Sequence, residues 1–144
     1  KNYSIVRPAN IYGEYDEFGE ESTVIASLVK KGYHSDLLSV WGDGTPIRDF
    51  IHAEDVARGI LMSYENQITE PINLGSGDGV RIKDIASIVA THYGKEIEYD
   101  TTKPNGDNKR LMDMTRANSY GFYPEVDLET GIKRVIKYYE SLQK

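Results

Sequence analysis

An α/β fold is what this sequence predicts, and three observations carry the prediction. Short runs of strand-forming residues recur at Tyr3-Ser4-Ile5-Val6, Leu37 to Trp41, Pro71 to Leu74 and Ile97 to Tyr99. Between them the apolar residues adopt a helical period, as at Ile82, Ile85, Ala86, Val89 and Tyr93. Glycine, proline and asparagine mark the changes of period, so strands and helices alternate along the whole chain.

Taken in order, the first strand covers Tyr3 to Val6 and stops at Arg7-Pro8, since proline has no N–H for a ladder. A loop with Gly13, Asp16 and Gly19 follows. Ser22 is placed to cap a helix with apolar positions Val24, Ile25, Leu28 and Val29, and Gly32 to end it. Leu37 to Trp41 reads as a strand, Gly42-Asp43-Gly44 as a turn, and Ile47 to Ile51 as another short strand. From about Ala53 a helix carries Val56, Ala57, Ile60, Leu61 and Tyr64 on one apolar face. Pro71 to Leu74 is a strand running into Gly75-Ser76-Gly77-Asp78-Gly79, and the next helix stops at Gly94. After the brief strand Ile97 to Tyr99, the polar run Thr101 to Lys109 reads as a mobile loop. Asp127 caps a last helix that turns Leu128, Ile132, Val135, Ile136, Tyr139 and Leu142 inward.

Composition narrows the function classes. The chain's 144 residues suffice for one domain with a real core. Seventeen basic against 23 acidic side chains leave a net charge of −6, which argues against nucleic acid or an anionic membrane as partner. One small anionic ligand stays compatible, because one or two placed arginines suffice for it. Without cysteine there is no disulfide, thiolate metal site or thiol nucleophile. No apolar run is long enough to span a bilayer and Lys1 to Asn10 is unlike a signal peptide, so a soluble cytoplasmic protein is expected. The abrupt opening on a strand implies a piece of something longer. The eleven tyrosines suit half-buried amphipathic packing.

The motifs are weighed one by one. Gly75 to Gly79 follows a strand and precedes a helix, as a dinucleotide-binding turn should, but its spacing is G-x-G-x-G and no acid is well placed for a ribose; a structural turn is favoured. Tyr99-x-x-x-Lys103 has reductase spacing, yet that pairing needs one helical turn and Lys103 precedes Pro104, which disfavours helix there. His34, His52 and His92 share no metal-ligand spacing; His52, before Glu54 and Asp55, reads as a strand-end residue beside a helix start. No nucleophile elbow G-x-S-x-G occurs. An anion clamp remains: Arg48 after the Thr45-Pro46 turn and Arg110 after the polar loop, with the flat face of Trp41 close by. The bland alternative pairs Arg48 with Asp49 or Asp43, and Arg110 with Asp113, as surface ion pairs.

Five ordered motifs carry a resemblance: R-P-A-N-I-Y-G (Arg7 to Gly13), W-G-D-G-T-P-I-R-D-F-I-H-A-E-D-V-A (Trp41 to Ala57), I-N-L-G-S-G (Ile72 to Gly77), K-P-N-G-D-N-K-R-L-M-D (Lys103 to Asp113) and G-F-Y-P (Gly121 to Pro124). In these the chain resembles the extended short-chain dehydrogenase/reductases, the NAD-dependent epimerase/dehydratase family of nucleotide-sugar enzymes, most closely its fucose-synthase branch. The resemblance implies that residues 1–144 are the C-terminal, substrate-binding portion of an extended Rossmann-type fold, holding the last strands of its parallel sheet, with the dinucleotide-binding part upstream. It implies a nucleoside-diphosphate sugar, GDP-linked, and NADP or NAD as cofactor. Arg48 and Arg110 would hold the diphosphate, Trp41 and Lys31 the nucleotide, and Asn10 the region between sugar and nicotinamide. Pro8, Ala9, Asn10 and Ile11 would lie against the nicotinamide half of the cofactor. No catalytic residue is expected in this segment, since the family's helical Tyr-x-x-x-Lys lies upstream; the chain alone should therefore lack hydride chemistry. The branch that turns GDP-4-keto-6-deoxymannose into GDP-fucose carries a histidine for epimerisation near the start of the first helix, and the aligned residue here is Thr23, a poor acid or base near neutral pH. A 4-keto reductase, another nucleotide-sugar epimerase or dehydratase, and a non-catalytic sugar-nucleotide-binding module all stay open. A sheet edge left without its earlier strands would also invite pairing into a homodimer.

Overall fold

The computed structural model describes residues 3–144 as nine strands and five helices: β1 Val6–Pro8, β2 Asn10–Tyr12, α1 Val24–His34, β3 Leu37–Trp41, β4 Ile47–Arg48, β5 Phe50–His52, α2 Ala53–Glu65, β6 Ile72–Leu74, β7 Val80–Arg81, α3 Ile82–Tyr93, β8 Glu96–Asp100, β9 Lys109–Arg110, α4 Thr115–Ser119 and α5 Leu128–Ser141. Four small sheets result. β1 pairs with β6, β2 with β5 and β3 with β8, each in parallel, while β4 lies between antiparallel β7 and parallel β9. The α/β class and the parallel strands match the sequence expectation. Among the described residues no helix is long and apolar enough to cross a membrane.

The core has two parts. The larger packs α1, α3 and α5 together through Leu28, Val29, Ile85, Val89, Ile132 and Val135, against Leu38 and Val40 of β3. The smaller gathers Ile51, Val56, Ile68, Ile72, Leu74 and Phe122 around α2 and the β1–β6 pair. Burying side chains of this size contributes roughly 1.5–3 kcal/mol each.

Several elements differ from the sequence reading, each for a physical reason. The first strand is Val6–Pro8, not Tyr3–Val6. Ile72 N–H donates to Ile5 O and Ala9 N–H to Leu74 O, so the odd-numbered residues face β6 and Pro8 turns its missing donor to the free edge, at no cost to the ladder. The helix expected to start behind Ser22 has Thr23 as its N-cap and runs through Gly32 to His34. A Cβ on Gly32 would stand 2.6 Å from the Tyr93 ring, so this glycine admits α3 and does not end α1. The single strand Ile47 to Ile51 is two, β4 and β5, in different sheets, and the buried Asp49 marks the step between them.

The face of α2 is turned from the one expected, of which only Val56 is buried. Asp55, Val56, Gly59 and Ser63 are buried, whereas Ile60, Leu61 and Tyr64 are 49, 55 and 78% exposed and Ala57 is exposed beside them. The buried Asp55 carboxylate pairs with Arg58 and accepts N–H bonds from Glu125 and Val126, both at 3.0 Å, which ties α2 to the segment entering α5. Gly59 lets Leu74 approach so closely that a Cβ would lie 2.6 Å from its methyl carbons. On α5, Asp127 accepts from Thr130 N–H at 2.9 Å as a cap, and the inward face is as expected except for Leu142, which is exposed just past the last turn. β2 and the five-residue α4 were not expected; both are too short to show a period.

Candidate functional site

A cavity of about 840 Å³ opens between α1, the end of β3 and the turn leading into β4. Leu28 and Lys31 of α1, Trp41 of β3, Pro46 and Arg48 after the turn, and Asn10 of β2 line it. Gly42 and Gly44 form the turn at φ of 74° and 73°, a region that favours glycine. Between them the Asp43 carboxylate accepts from Thr45 Oγ1 at 2.6 Å and Thr45 N–H at 2.9 Å, and these bonds hold its pKa below the usual carboxylate range.

The polar run Thr101 to Lys109 is stitched across this turn. Gly42 N–H donates to Asp100 O at 2.9 Å, Asp43 N–H to Asn105 Oδ1 at 2.9 Å, and Ile47 N–H to Asn108 O at 2.9 Å. Arg48 adds a side-chain bridge, its Nη1 donating to Ile47 O at 2.9 Å and Asp107 O at 2.6 Å. A guanidinium has five N–H donors, and among the described residues Nε and Nη2 make no hydrogen bond. Arg48 makes no ion pair with Asp43 or Asp49 among the described residues.

Trp41 is 63% exposed at the cavity mouth. Lys31 Nζ stands 5.9 Å and Lys103 Nζ 5.5 Å from the centre of its ring, and Lys31 also donates to Ser39 O at 3.1 Å. Asn10 lines the cavity and donates its side-chain N–H to Asp49 O at 2.7 Å. Arg110 is the strand partner of Arg48 in the β4–β9 ladder, so the two backbones converge. Its guanidinium, however, is exposed, pairs with Asp107 rather than Asp113, and does not line the cavity. Of the five residues expected at a sugar nucleotide, Arg48, Trp41, Lys31 and Asn10 share the cavity and Arg110 stands outside it.

Pro8 ends β1 and Ala9 follows it, and Ile11 lines a neighbouring cavity of about 630 Å³ together with Glu14, Thr23, His52 and Arg134. Thr23 donates from Oγ1 to Asp16 at 2.6 Å and stands outside the larger cavity. His52 is buried; its Nδ1 accepts from Glu54 N–H at 3.2 Å, so the proton sits on Nε2 and is donated to Glu14 at 3.0 Å. Partial burial raises the Glu14 pKa, but bonds from its own backbone and from Arg134 pull it below the usual range. Among the described residues no group of three or more His, Cys, Asp or Glu is placed to hold a metal ion.

The glycine loop after β6 is already filled. Asp49 Oδ1 accepts from Ser76 N–H at 2.8 Å and Ser76 Oγ at 2.7 Å, and Oδ2 from Gly77 N–H at 3.0 Å and Met112 N–H at 3.2 Å. These are the donors a pyrophosphate would need, so the loop does not cradle one. Sequence reasoning missed Asp49 and Asp55 as buried anchors and Lys103 as a neighbour of Trp41. The available signal was Asp49 set directly against the apolar Phe50-Ile51, with a second acid, Asp55, six residues on.

A family model described as the NAD dependent epimerase/dehydratase family matches residues 1–75. A GDP-L-fucose synthase of Sinorhizobium fredii is 36% identical over 149 residues, covering 97% of this chain and 46% of the relative. The structure of a UDP-glucose 4-epimerase of Thermotoga maritima with UDP-glucose superposes with a TM-score of 0.87 at 30% identity, over 99% of this chain and 47% of that one. A GDP-L-fucose synthetase of Naegleria fowleri bound to NADP gives 0.86 at 25% identity, over 94% and 46%. The chain thus spans a little under half the length of the relatives it matches.

Proposed function

Since the chain belongs to the NAD dependent epimerase/dehydratase family, we propose that its cavity of about 840 Å³ binds the nucleoside diphosphate of a nucleotide sugar, GDP-linked, for an NAD(P)-dependent epimerase/reductase similar to GDP-L-fucose synthase. One observation carries the reading: Arg48, Trp41, Lys31 and Asn10 come from four separate elements and line one cavity. In this reading the free Nε and Nη2 donors of Arg48 grip the diphosphate. Trp41 stacks on the base, Lys31 adds a second positive charge, and Asn10 meets the sugar. Arg110 joins only by exchanging Asp107 for a phosphate.

NADP or NAD would meet this chain along Pro8 to Ile11. The occupied glycine loop does not fit its diphosphate. Thr23, bonded to Asp16 and outside the cavity, favours reduction or another nucleotide-sugar reaction over epimerisation through a residue at that position. The UDP-glucose in the Thermotoga maritima enzyme keeps a UDP-linked substrate as the second reading. Pairing of two copies through the free edge of β1 is part of the same proposal, and sedimentation at several concentrations tests it. A cysteine-free chain suits the cytoplasm.

Calorimetry with GDP tests the main reading. Arg48→Ala should weaken binding at least about tenfold, the value of one lost charge-assisted contact. Equal affinity in the two proteins removes Arg48 from the site.

A further inference from the structure

Trp41 and Arg48 account for stacking and charge, but neither reads the identity of a base. An edge-reading group must stand beside the indole on a fixed backbone, with donors or acceptors not already spent. Lys103 meets these conditions. Its N–H donates to Asp100 O at 3.1 Å, Thr102 before it is held by Asp100 Oδ1 at 3.1 Å, and Asn105 after it is tied to Asp43 N–H. The loop backbone is therefore set on both sides of Lys103, and Pro104 restricts its neighbour further. The ammonium stands 5.5 Å from the ring centre and meets no hydrogen-bond acceptor among the described residues, whereas Lys31 is shared with Ser39 O.

An ammonium only donates. Guanine offers O6 and uracil O4 as acceptors, while adenine and cytosine present an amino group at the same position; N7, common to both purines, does not discriminate. A base stacked on Trp41 takes the place of the ammonium over the ring and leaves it at the base's edge. There an oxo base gains a charge-assisted bond and an amino base meets a like donor. Resting on the nucleotide-sugar reading above, we infer that Lys103 is a specificity-determining residue that selects nucleoside diphosphates of guanine or uracil over those of adenine or cytosine.

Trp41 is the only tryptophan in the 144 residues, so its fluorescence reports this one place. GDP, UDP, ADP and CDP are titrated into wild type, Lys103→Met and Lys103→Arg. Lys103 is exposed and bonds only through its main chain, so both variants should fold. Wild type should bind GDP and UDP about tenfold tighter than ADP and CDP. In Lys103→Met the ratio falls to about one because GDP and UDP weaken while ADP and CDP do not. Lys103→Arg, also a pure donor, keeps the preference. A preference that persists in Lys103→Met overturns the inference, as does wild type binding all four alike; in both cases the nucleotide cavity stands. Failure of wild type to bind any of the four overturns the cavity reading and this inference together.

Discussion

Replacing Asp49 with asparagine should cost this fold about 3 kcal/mol, worked from the bonds the carboxylate makes. Asp49 is 2% exposed and accepts four hydrogen bonds, from Ser76 N–H, Ser76 Oγ, Gly77 N–H and Met112 N–H. An asparagine keeps one acceptor oxygen and turns an NH₂ on the other side. The less costly orientation aims that NH₂ at Ser76, whose hydroxyl can rotate to accept, so that one buried N–H is orphaned instead of two. An orphaned buried donor costs about 1–3 kcal/mol, and each remaining bond loses roughly 1 kcal/mol with its charge assistance. Relief from burying a charge offsets part of the sum. Urea unfolding followed by far-UV circular dichroism reads the result: with a slope near 1.5 kcal/mol/M, the midpoint should fall by about 2 M. Glu98→Gln, an exposed control, should stay within about 0.5 kcal/mol. A loss below about 1 kcal/mol for Asp49→Asn would refute the claim that this carboxylate holds the glycine loop.

Gly131→Ala should lower the melting temperature by a few degrees, at a cost of about 1–3 kcal/mol, because its Cβ would fall 2.2 Å from the Tyr12 hydroxyl oxygen; an unchanged melt contradicts the packing of α5 on β2. The depressed Glu14 pKa gives stability that is present above the ordinary glutamate value and lost as pH falls through the lower folded value. Glu14→Gln should therefore be less stable than wild type at neutral pH and converge with it in acid, as urea midpoints at both pH values will show; a constant gap refutes the linkage. Ile60→Ser and Leu61→Ser should each change stability by no more than about 0.5 kcal/mol, against about 2–5 for truncating a buried Leu or Ile, and a large loss in either would mean that this face of α2 is covered. Arg110→Ala should reduce GDP affinity less than Arg48→Ala in the same titration, since its guanidinium pairs outside the cavity.

Periodicity made the helices legible where an apolar stripe met a clear stop. α3 ends where expected, on Gly94 in the left-handed region, and β3 keeps its expected bounds. Most of the α2 face was not legible, because beside the expected Val56 its buried stripe is an acid, a glycine and a serine whose reasons lie elsewhere in the chain. Asp55 is buried for N–H groups 70 and 71 residues away, and Gly59 for the Leu74 side chain. Asp49 was hidden in the same way: its partners at 76, 77 and 112 turn what looked like a surface acid into the filling of a loop. Of the site, Trp41 and Arg48 announced themselves by the turn between them. The strand pairing of Arg110 with Arg48 was not legible, nor was its ion pair with Asp107, three residues before it, which holds the guanidinium outside the cavity.

The bare apolar flank of α2 governs how the protein behaves in solution. A net charge of −6 at neutral pH opposes non-specific clustering through Ala57, Ile60, Leu61 and Tyr64 at the surface. That repulsion vanishes near the isoelectric point of about 5.1 and is screened by salt. Dilute, low-salt buffers well above that pH should keep the protein clear, and mild acidification should turn it cloudy long before it unfolds.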